Sequence, residues 1–190
     1  MLYTFIKNLL KCIYSLTYRI EISGHENIPI DGGAVICPNH KSNNDAVIVT
    51  IAIKRKLTYL GKEELFSFKP LGWIFKKIGA IPIKRGSGDI GAVRKAVEVL
   101  KDGNILIIFP EGTRNKKGYP LLEFKSGASL IAYKAGSPVI PCAIIGNYRP
   151  FSKIKISFGK PINTVFDSKP DLHILTEEIK TSVSNMLEEK

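Results

Sequence analysis

Short apolar runs bounded by glycine, proline, asparagine or aspartate recur along this chain. A continuous apolar run is typical of a strand buried on both faces of a sheet, and strict alternation is typical of a half-buried strand. Residues 18–23 alternate, which predicts a half-buried strand there. The continuous runs predict further strands at residues 34–38, 57–60, 80–83, 105–109, 139–145 and 154–158.

Segments with apolar residues at helical spacing lie between these runs. They predict helices at residues 46–53, 71–78, 126–135 and 171–188. A further helix is expected between a cap at Asp89 and a stop at Gly103, with an apolar face made of Ile90, Val93, Val97 and Leu100. Strands that alternate with helices predict an α/β fold with a mostly parallel central sheet flanked by helices.

The first 17 residues carry a separate pattern, that of an amphipathic helix. One arc holds the apolar residues Leu2, Phe5, Ile6, Leu9, Ile13 and Leu16. The opposite side holds the polar residues Thr4, Lys7, Asn8, Lys11 and Ser15. Two interpretations stay open: a basic helix that lies in a membrane interface, or a surface helix that packs on its own domain. Lys7 and Lys11 also interrupt any signal-peptide core.

Length and composition indicate one globular domain, which we place at residues 18–190, behind the helix of residues 1–17. The 190 residues contain 28 Lys+Arg against 17 Asp+Glu, a net charge of +11, which favours anionic partners. Cys12, Cys37 and Cys142 lie far apart in apolar runs, as in a reduced intracellular protein, and have no metal-site spacing. No uncharged apolar run is long enough to span a membrane.

The turn after the second predicted strand holds the strongest candidate chemistry. His40 follows that strand and Asp45 comes five residues later, at the start of a predicted helix. Ser42 and Asp45 have the spacing of a capping box, so the Asp45 side chain is expected to point back toward the turn. A carboxylate there can accept a hydrogen bond from one imidazole nitrogen and leave the other as a base. The sequence therefore predicts a His40–Asp45 dyad, although Asp45 as a simple helix cap is the alternative.

Three predicted strands end in polar sequence, and ligands gather at the carboxyl ends of strands in α/β sheets. Asn39-His40 follows one strand, Lys84-Arg85 another, and residues 110–114 the most buried one. A histidine, an acid and several cations that converge at one edge indicate a binding or catalytic site.

Two competing motifs are weaker. Gly86-Ser87-Gly88-Asp89-Ile90-Gly91 matches the dinucleotide-binding pattern, but Asp89 would place a negative charge where pyrophosphate binds. A flexible turn followed by an Asp cap is the preferred interpretation. Ser42 as a nucleophile lacks the glycine frame of a nucleophile elbow, and its hydroxyl is better used as a cap.

Four blocks of this sequence, in order, resemble the glycerolipid acyltransferases, and most closely the bacterial 1-acyl-sn-glycerol-3-phosphate acyltransferases. They are Asn39-His40-x-Ser42-x-x-Asp45, Gly79–Arg85, Phe109–Arg114 and Val139–Ile144. Residues 24–29 and 124–127 are also similar to that family, so the resemblance covers about residues 18–162. The second block departs from the family at Pro82 and Lys84, which affects its fine contacts.

The resemblance implies transfer of a fatty acyl group to the 2-hydroxyl of lysophosphatidic acid, which forms phosphatidic acid in phospholipid biosynthesis. The donor would be a thioester of acyl carrier protein or of coenzyme A, and neither a metal nor another cofactor would be needed. His40 and Asp45 would be catalytic. Substrate binding would fall to Arg85, Glu111, Gly112, Thr113, Arg114 and Lys125. Within that set, Arg114 would grip the phosphate, and Glu111 would bind glycerol hydroxyls or orient Arg114.

Two other functions stay open: an acyltransferase of this fold for another lysophospholipid, and a non-catalytic basic domain that binds membranes. The charge suits an enzyme that meets anionic lipid, and we expect a peripheral protein at the cytoplasmic face of the cell membrane without nucleic-acid partners. Oxyanion donors are expected in the turn at residues 39–42 or around Gly112. The sequence leaves open the donor, the acyl-chain preference, the exact acceptor and the oligomeric state.

Overall fold

The fold of this chain was obtained as a computed structural model, which describes residues 2–67, 72–73, 79–84, 89–116, 118–166, 168 and 170–189. The helices are α1 (Leu2–Thr17), α2 (Asn44–Ala52), α3 (Glu64–Ser67), α4 (Ile90–Lys101), α5 (Gly127–Ala135) and α6 (Leu172–Glu188). The strands are β1 (Arg19–Ser23), β2 (Ala34–Pro38), β3 (Leu57–Lys62), β4 (Ile81–Ile83), β5 (Ile105–Ile107), β6 (Val139–Gly146) and β7 (Lys153–Phe158).

The strands form one sheet in the order β1-β7-β6-β2-β5-β3-β4. Only β6 and β7 pair antiparallel among the neighbouring strands described, so the expected mostly parallel sheet is confirmed. β2 lies in the middle, between β5 and β6, and runs parallel to both. The carboxyl ends of these three strands therefore meet at one edge.

Alternate residues of β2 enter two separate cores, as the period of a strand requires. Val35 and Cys37 pack in a core that is completed by α4, α5 and α6. Ala34 and Ile36 pack in the core on the other face, against α2. Because all five residues of β2 are buried, this strand is a rigid support for the turn that follows it.

Most predicted elements are present, with shifts at their ends. The strand predicted at 105–109 ends at Ile107, since Phe109 turns toward the edge of the sheet and stacks on a histidine ring. Most of the helix predicted at 71–78 lies outside the described residues. Residues 72–73, which the structure does describe, are helical.

The helix after Asp89 confirms its cap and most of its apolar face, since three of the four predicted members are buried or pack against the core. The Asp89 side chain accepts a hydrogen bond from the N–H of Ala92, as an N-cap does. The fully buried positions are Ala92, Ala96 and Leu100, whereas Ile90 is 82% exposed. Small alanine side chains allow the helix to approach its neighbours closely, so they take the inner face and leave the larger Ile90 at the rim.

α1 packs on the α2 side of the sheet, along a stripe of its own. Leu10 and Tyr14 contact the core that contains α2, and the Tyr14 hydroxyl donates to Asn44 Oδ1 at 2.8 Å. Lys7 Nζ donates to the carbonyl of Ile53, near the end of α2, and Tyr3 accepts from the N–H of Leu57. α1 therefore runs antiparallel to α2, and its last turn lies at the same edge of the sheet as the start of α2.

The apolar arc of α1 is not the stripe that packs on the domain. Five of its six members are exposed, with Leu2 at 42%, Phe5 at 67%, Leu9 at 50%, Ile13 at 48% and Leu16 at 75%, and Ile6 is half-buried. No helix in the described part of the chain is long and apolar enough to cross a membrane.

Candidate active site

Three connections meet at the carboxyl edge of the sheet and form the candidate site. They are the turn from β2 to α2, the segment at residues 108–116 after β5, and the loop at residues 147–152 between β6 and β7. They meet because β5, β2 and β6 are neighbouring parallel strands.

His40 and Asp45 form the predicted pair. His40 Nδ1 lies 2.9 Å from Asp45 Oδ2, and the two side chains are 12% and 2% exposed. A carboxylate only accepts, so the proton of the neutral imidazole is on Nδ1. His40 Nε2 is then an unprotonated nitrogen that can accept a proton.

Asp45 is held by backbone as well as by the histidine. Its Oδ2 accepts from the N–H of Lys41 at 2.6 Å and from the N–H of Ser42 at 2.7 Å. The expected reach of Asp45 back into the turn is confirmed. The helix itself begins at Asn44, so Ser42 is not the assigned cap. The Ser42 hydroxyl accepts from the N–H of Asn44 at 3.2 Å, which is a turn-forming role rather than that of a nucleophile.

Tyr148 is a member of the site that the sequence pattern did not indicate. Its hydroxyl donates to Asp45 Oδ1 at 2.5 Å. Burial and the Asp45 carboxylate raise the pKa of Tyr148 well above its usual range, so the phenol stays protonated as a donor. The signal was missed because Tyr148 lies 103 residues from Asp45 and belongs to none of the recognised blocks.

The segment after β5 holds the backbone of His40 from both sides. Glu111 Oε1 accepts from the N–H of His40 at 2.6 Å, and the N–H of Asn115 donates to the carbonyl of His40 at 2.7 Å. Glu111 Oε2 accepts from the N–H of Leu122 at 3.1 Å. Burial raises the pKa of Glu111, and the two backbone hydrogen bonds oppose that shift.

The contacts of Glu111 differ from both expectations for it. It is 2% exposed and its two oxygens bind backbone N–H groups, so it is not available to glycerol hydroxyls. Among the described ion pairs it has none with Arg114. Glu111 therefore positions the His40 turn, because an unpaired buried carboxylate would cost far more than one that accepts two N–H groups.

Two further residues hold the histidine, and both lie in the blocks recognised in the sequence, although no role was predicted for either. Asn39 is 1% exposed. Its Nδ2 donates to the carbonyl of Ile144 at 3.1 Å, and its Oδ1 accepts from the N–H of Ile144 at 2.7 Å. The Phe109 ring stacks on the His40 ring with 3.9 Å between centroids and 25° between planes. These contacts fix the end of β2 to β6 and hold the imidazole plane.

Some of the residues expected to bind substrate lie at the same edge of the sheet. Arg114 and Thr113 are exposed, and Arg114 directly precedes Asn115, which binds the His40 carbonyl. Gly112 has φ of 65°, and a Cβ on it would lie 3.1 Å from Lys125 Cδ. The positive φ favours glycine at 112, and the flexible Lys125 side chain lies against it. Arg85 lies outside the described residues.

Four of the backbone donors expected for an oxyanion are already engaged within the protein. The N–H groups of His40, Lys41 and Ser42 donate to Glu111 or Asp45. The N–H of Gly112 donates to the carbonyl of Phe109 at 3.0 Å. These four N–H groups do not face a substrate in this conformation, because the carboxylates and the tight turn use them. The expectation for the other N–H groups of the turn and of the Gly112 segment stays a prediction. Within the described residues no cluster of three or more metal-ligating side chains occurs.

A buried carboxylate that orients a histidine with one free nitrogen is an arrangement for general-base catalysis. A family profile described as Acyltransferase matches residues 19–145, which include the His40 turn and the segment that holds it. This chain belongs to the acyltransferase family.

Similar proteins agree with this assignment. A curated 1-acyl-sn-glycerol-3-phosphate acyltransferase of Bacillus subtilis is 32% identical over 97% of this chain and 96% of its own length. The chloroplastic 1-acyl-sn-glycerol-3-phosphate acyltransferase LPAT1 of Arabidopsis thaliana is 29% identical over 90% of this chain, which spans half of that longer protein. The crystal structure of the 1-acyl-sn-glycerophosphate acyltransferase PlsC of Thermotoga maritima superposes with a TM-score of 0.81 at 28% identity, and covers 98% of this acyltransferase and 78% of that chain.

Proposed function

We propose that this acyltransferase moves a fatty acyl group from a thioester to the 2-hydroxyl of 1-acyl-sn-glycerol-3-phosphate, and so forms phosphatidic acid. The observation that carries the proposal is the His40 Nδ1–Asp45 Oδ2 contact of 2.9 Å at the strand edge, within a chain whose relatives are named for this reaction. The donor is the thioester of acyl carrier protein or of coenzyme A. The thioester is already activated, so the reaction needs no further cofactor.

The proposed catalytic step uses His40 as general base. Nε2 takes the proton of the 2-hydroxyl as its oxygen attacks the thioester carbonyl. The tetrahedral intermediate then collapses, the carbon–sulfur bond breaks, and the leaving thiolate takes the proton back from the imidazolium. Asp45 stabilises that imidazolium and holds the ring, and such general-base assistance contributes about 10²–10⁴ in rate.

The supporting side chains divide into two groups. Tyr148, Glu111, Asn39 and Phe109 position the dyad and do not touch substrate in this proposal. The phosphate of the acceptor binds Arg114, with Lys125 and Arg85 adding charge, and Gly112 and Thr113 line that site. A planar guanidinium can bind phosphate through two parallel hydrogen bonds, which a lone ammonium cannot do.

Membrane contact is the second part of the proposal. The apolar arc of α1 stays exposed although the helix packs on its domain through another stripe. Such a helix suits the interface of an anionic bilayer, with residues 1–17 as the contact element and residues 18–190 as the catalytic domain. The acceptor and the product are lipids, so a peripheral position at the inner face of the membrane brings the dyad to its substrate.

The decisive experiment measures phosphatidic acid formation by purified protein, with lysophosphatidic acid and each thioester donor in turn. His40→Ala should lower kcat by about 10²–10⁴, because the base is lost while the fold stays intact. His25→Ala is the matched control, since that imidazole is 69% exposed, and its kcat should equal that of the wild type.

Two results would contradict this proposal, the first its mechanism and the second its acceptor. One is near-normal kcat in a His40→Ala protein that melts like the wild type. The other is a wild-type enzyme that acylates a different lysophospholipid in preference, which a panel of acceptors in the same assay would reveal.

A further inference from the structure

The loop at residues 147–152 contains a strained residue with an exposed aromatic side chain. Phe151 has φ of 63°, and among the described residues it is the one non-glycine with positive φ. Residues with a Cβ are sterically disfavoured in this left-handed region, and a bulky apolar residue occupies it here. Local conformation alone would favour glycine or asparagine at this position.

The side chain of Phe151 contributes little to the core of the protein. Phe151 is 76% exposed, so burial in its own domain does not compensate for the strain. Single exposed apolar residues are common on protein surfaces, and exposure by itself would carry no conclusion. Strain together with exposure is the unusual combination, because residues kept in such conformations concentrate at functional sites.

The position of Phe151 extends the exposed arc of α1. The N–H of Phe151 donates to the carbonyl of Thr17, the last residue of α1, at 2.6 Å. Leu16, the neighbouring residue in the helix, is 75% exposed. The backbone of the loop is thus bonded to the end of the helix where the apolar arc finishes.

Cations accompany this apolar corner. Arg149 is exposed two residues before Phe151, and Arg19 is exposed next to the loop, with its N–H bonded to the carbonyl of Ser152 at 3.0 Å. An apolar anchor with neighbouring arginines is the composition that binds an anionic lipid surface. An acidic protein surface would match the arginines but not an exposed phenylalanine beside an exposed leucine.

We propose that Phe151 is a second bilayer anchor, which inserts beside the C-terminal end of α1 while Arg149 and Arg19 contact anionic headgroups. This inference rests on the membrane contact proposed above for α1. The same loop carries Tyr148, whose hydroxyl binds Asp45 at 2.5 Å. Tyr148, which binds the dyad, is three residues before Phe151 in the chain. Insertion of Phe151 would therefore bring this side of the site toward the bilayer, where an acceptor can react while its acyl chain stays in the membrane.

The test uses the sign of the stability change. Phe151→Asn replaces the apolar ring by a polar side chain that tolerates the left-handed conformation, so the melting temperature should stay equal to that of the wild type or rise. Binding to sedimented vesicles of equal parts phosphatidylglycerol and phosphatidylcholine should fall roughly ten-fold in partition coefficient. Phe151→Trp should restore binding to the wild-type level or above, because tryptophan favours the interface.

Ile90→Asn is the matched control. Ile90 is 82% exposed at the start of α4, which packs on the opposite face of the sheet from α1, so its replacement should leave vesicle binding unchanged. Unchanged partition of Phe151→Asn would overturn the anchor. A lower melting temperature of that variant would also overturn it, because the ring would then be a packing residue.

The outcome is separable from that of the proposed reaction. Acyl transfer to a short-chain acceptor that dissolves in water needs no bilayer, so Phe151→Asn should keep the wild-type rate there. If the wild type transfers no acyl group to lysophosphatidic acid, the proposed function fails, whereas the partition measurement still decides the anchor.

Discussion

At the scale of single residues, the site depends on how Asp45 is held. Its Oδ2 accepts hydrogen bonds from His40 Nδ1 and from two backbone N–H groups, and its Oδ1 accepts one from the Tyr148 hydroxyl. The torsion of a carboxylate is broad and roughly two-fold, so packing alone would not fix the plane of this group. Donors on both oxygens fix it, and the imidazole is oriented as a consequence.

Tyr148→Phe tests this arrangement. The ring and its packing are kept, and one hydrogen bond to a charged group is lost, which is worth about 1.5–3 kcal/mol. We expect kcat to fall roughly ten-fold while KM for the acceptor and the donor stays unchanged, because Tyr148 acts through Asp45. Steady-state kinetics below the melting temperature of the variant would measure this split.

Tyr18→Phe is the control for that change. The Tyr18 ring packs edge-on against Tyr148, with 5.9 Å between centroids. Its kinetics should match those of the wild type, since no side-chain hydrogen bond of its hydroxyl is found within the described residues. Equal effects of the two substitutions would indicate a general loss of packing instead of a specific role for the Tyr148 hydroxyl.

Arg114→Lys tests the phosphate contact at the same scale. The charge is kept but the bidentate geometry is lost, so kcat/KM for a phosphate-bearing acceptor should fall about ten- to a hundred-fold. Slow hydrolysis of the thioester by water needs no acceptor and should change little. Acyl transfer and thioester hydrolysis are both measured on this variant. An equal drop in the two rates would contradict the proposed contact between Arg114 and the phosphate.

At the scale of elements, one face of α1 packs on the domain and another, the apolar arc, is exposed. Tyr3, Lys7, Leu10 and Tyr14 face the domain, and three of them make hydrogen bonds there. The arc from Leu2 to Leu16 faces outward. A helix that only packed on its own domain would bury its most apolar arc, so this orientation favours an external apolar partner.

A pair of charge substitutions on α1 separates the two faces. Leu9→Asp with Ile13→Asp should release the protein from anionic vesicles, while the melting temperature changes little because both side chains are about half exposed. Asn8→Asp with Ser15→Asp makes the same change of charge on the polar side, and should weaken binding much less. A collapse of the thermal transition in the first variant would instead make the arc part of the folding core.

At the scale of the whole molecule, the net charge of +11 sets the long-range attraction to anionic surfaces. Exposed cations act through water, where salt screens them, whereas apolar insertion is not screened. The two contributions to membrane binding can therefore be separated by ionic strength.

Vesicle binding should show this division. Raising salt from about 0.1 M to about 1 M shortens the screening length from about 10 Å to about 3 Å, so binding to anionic vesicles should fall steeply and then level off at a residual value. Binding to neutral vesicles should be weak and nearly independent of salt. Complete release from anionic vesicles at about 1 M salt would mean that the apolar arc of α1 contributes nothing.

Much of this fold could be predicted from the sequence by itself. Continuous apolar runs such as residues 139–145 have the length of strands, and Asp89, Gly136 and Asp171 mark helix ends by local hydrogen bonding or positive φ. His40 and Asp45 are separated by five residues, so a local turn is enough to join them. These features are determined by neighbours in the chain, and neighbours are what a sequence displays.

Tertiary structure decided the rest of the site. Tyr148 and Ile144 lie more than a hundred residues from the groups they bind, and they reach them because β6 pairs with β2. The observed role of Glu111 also differs from the predicted one. Its hydrogen bond from the N–H of His40 depends on β5 lying next to β2. The apolar arc of α1 was readable from its spacing, but which stripe of that helix faces the domain depended on contacts with α2 and β3. Periodicity fixes the angle between two faces of a helix, whereas only long-range packing selects which face is covered.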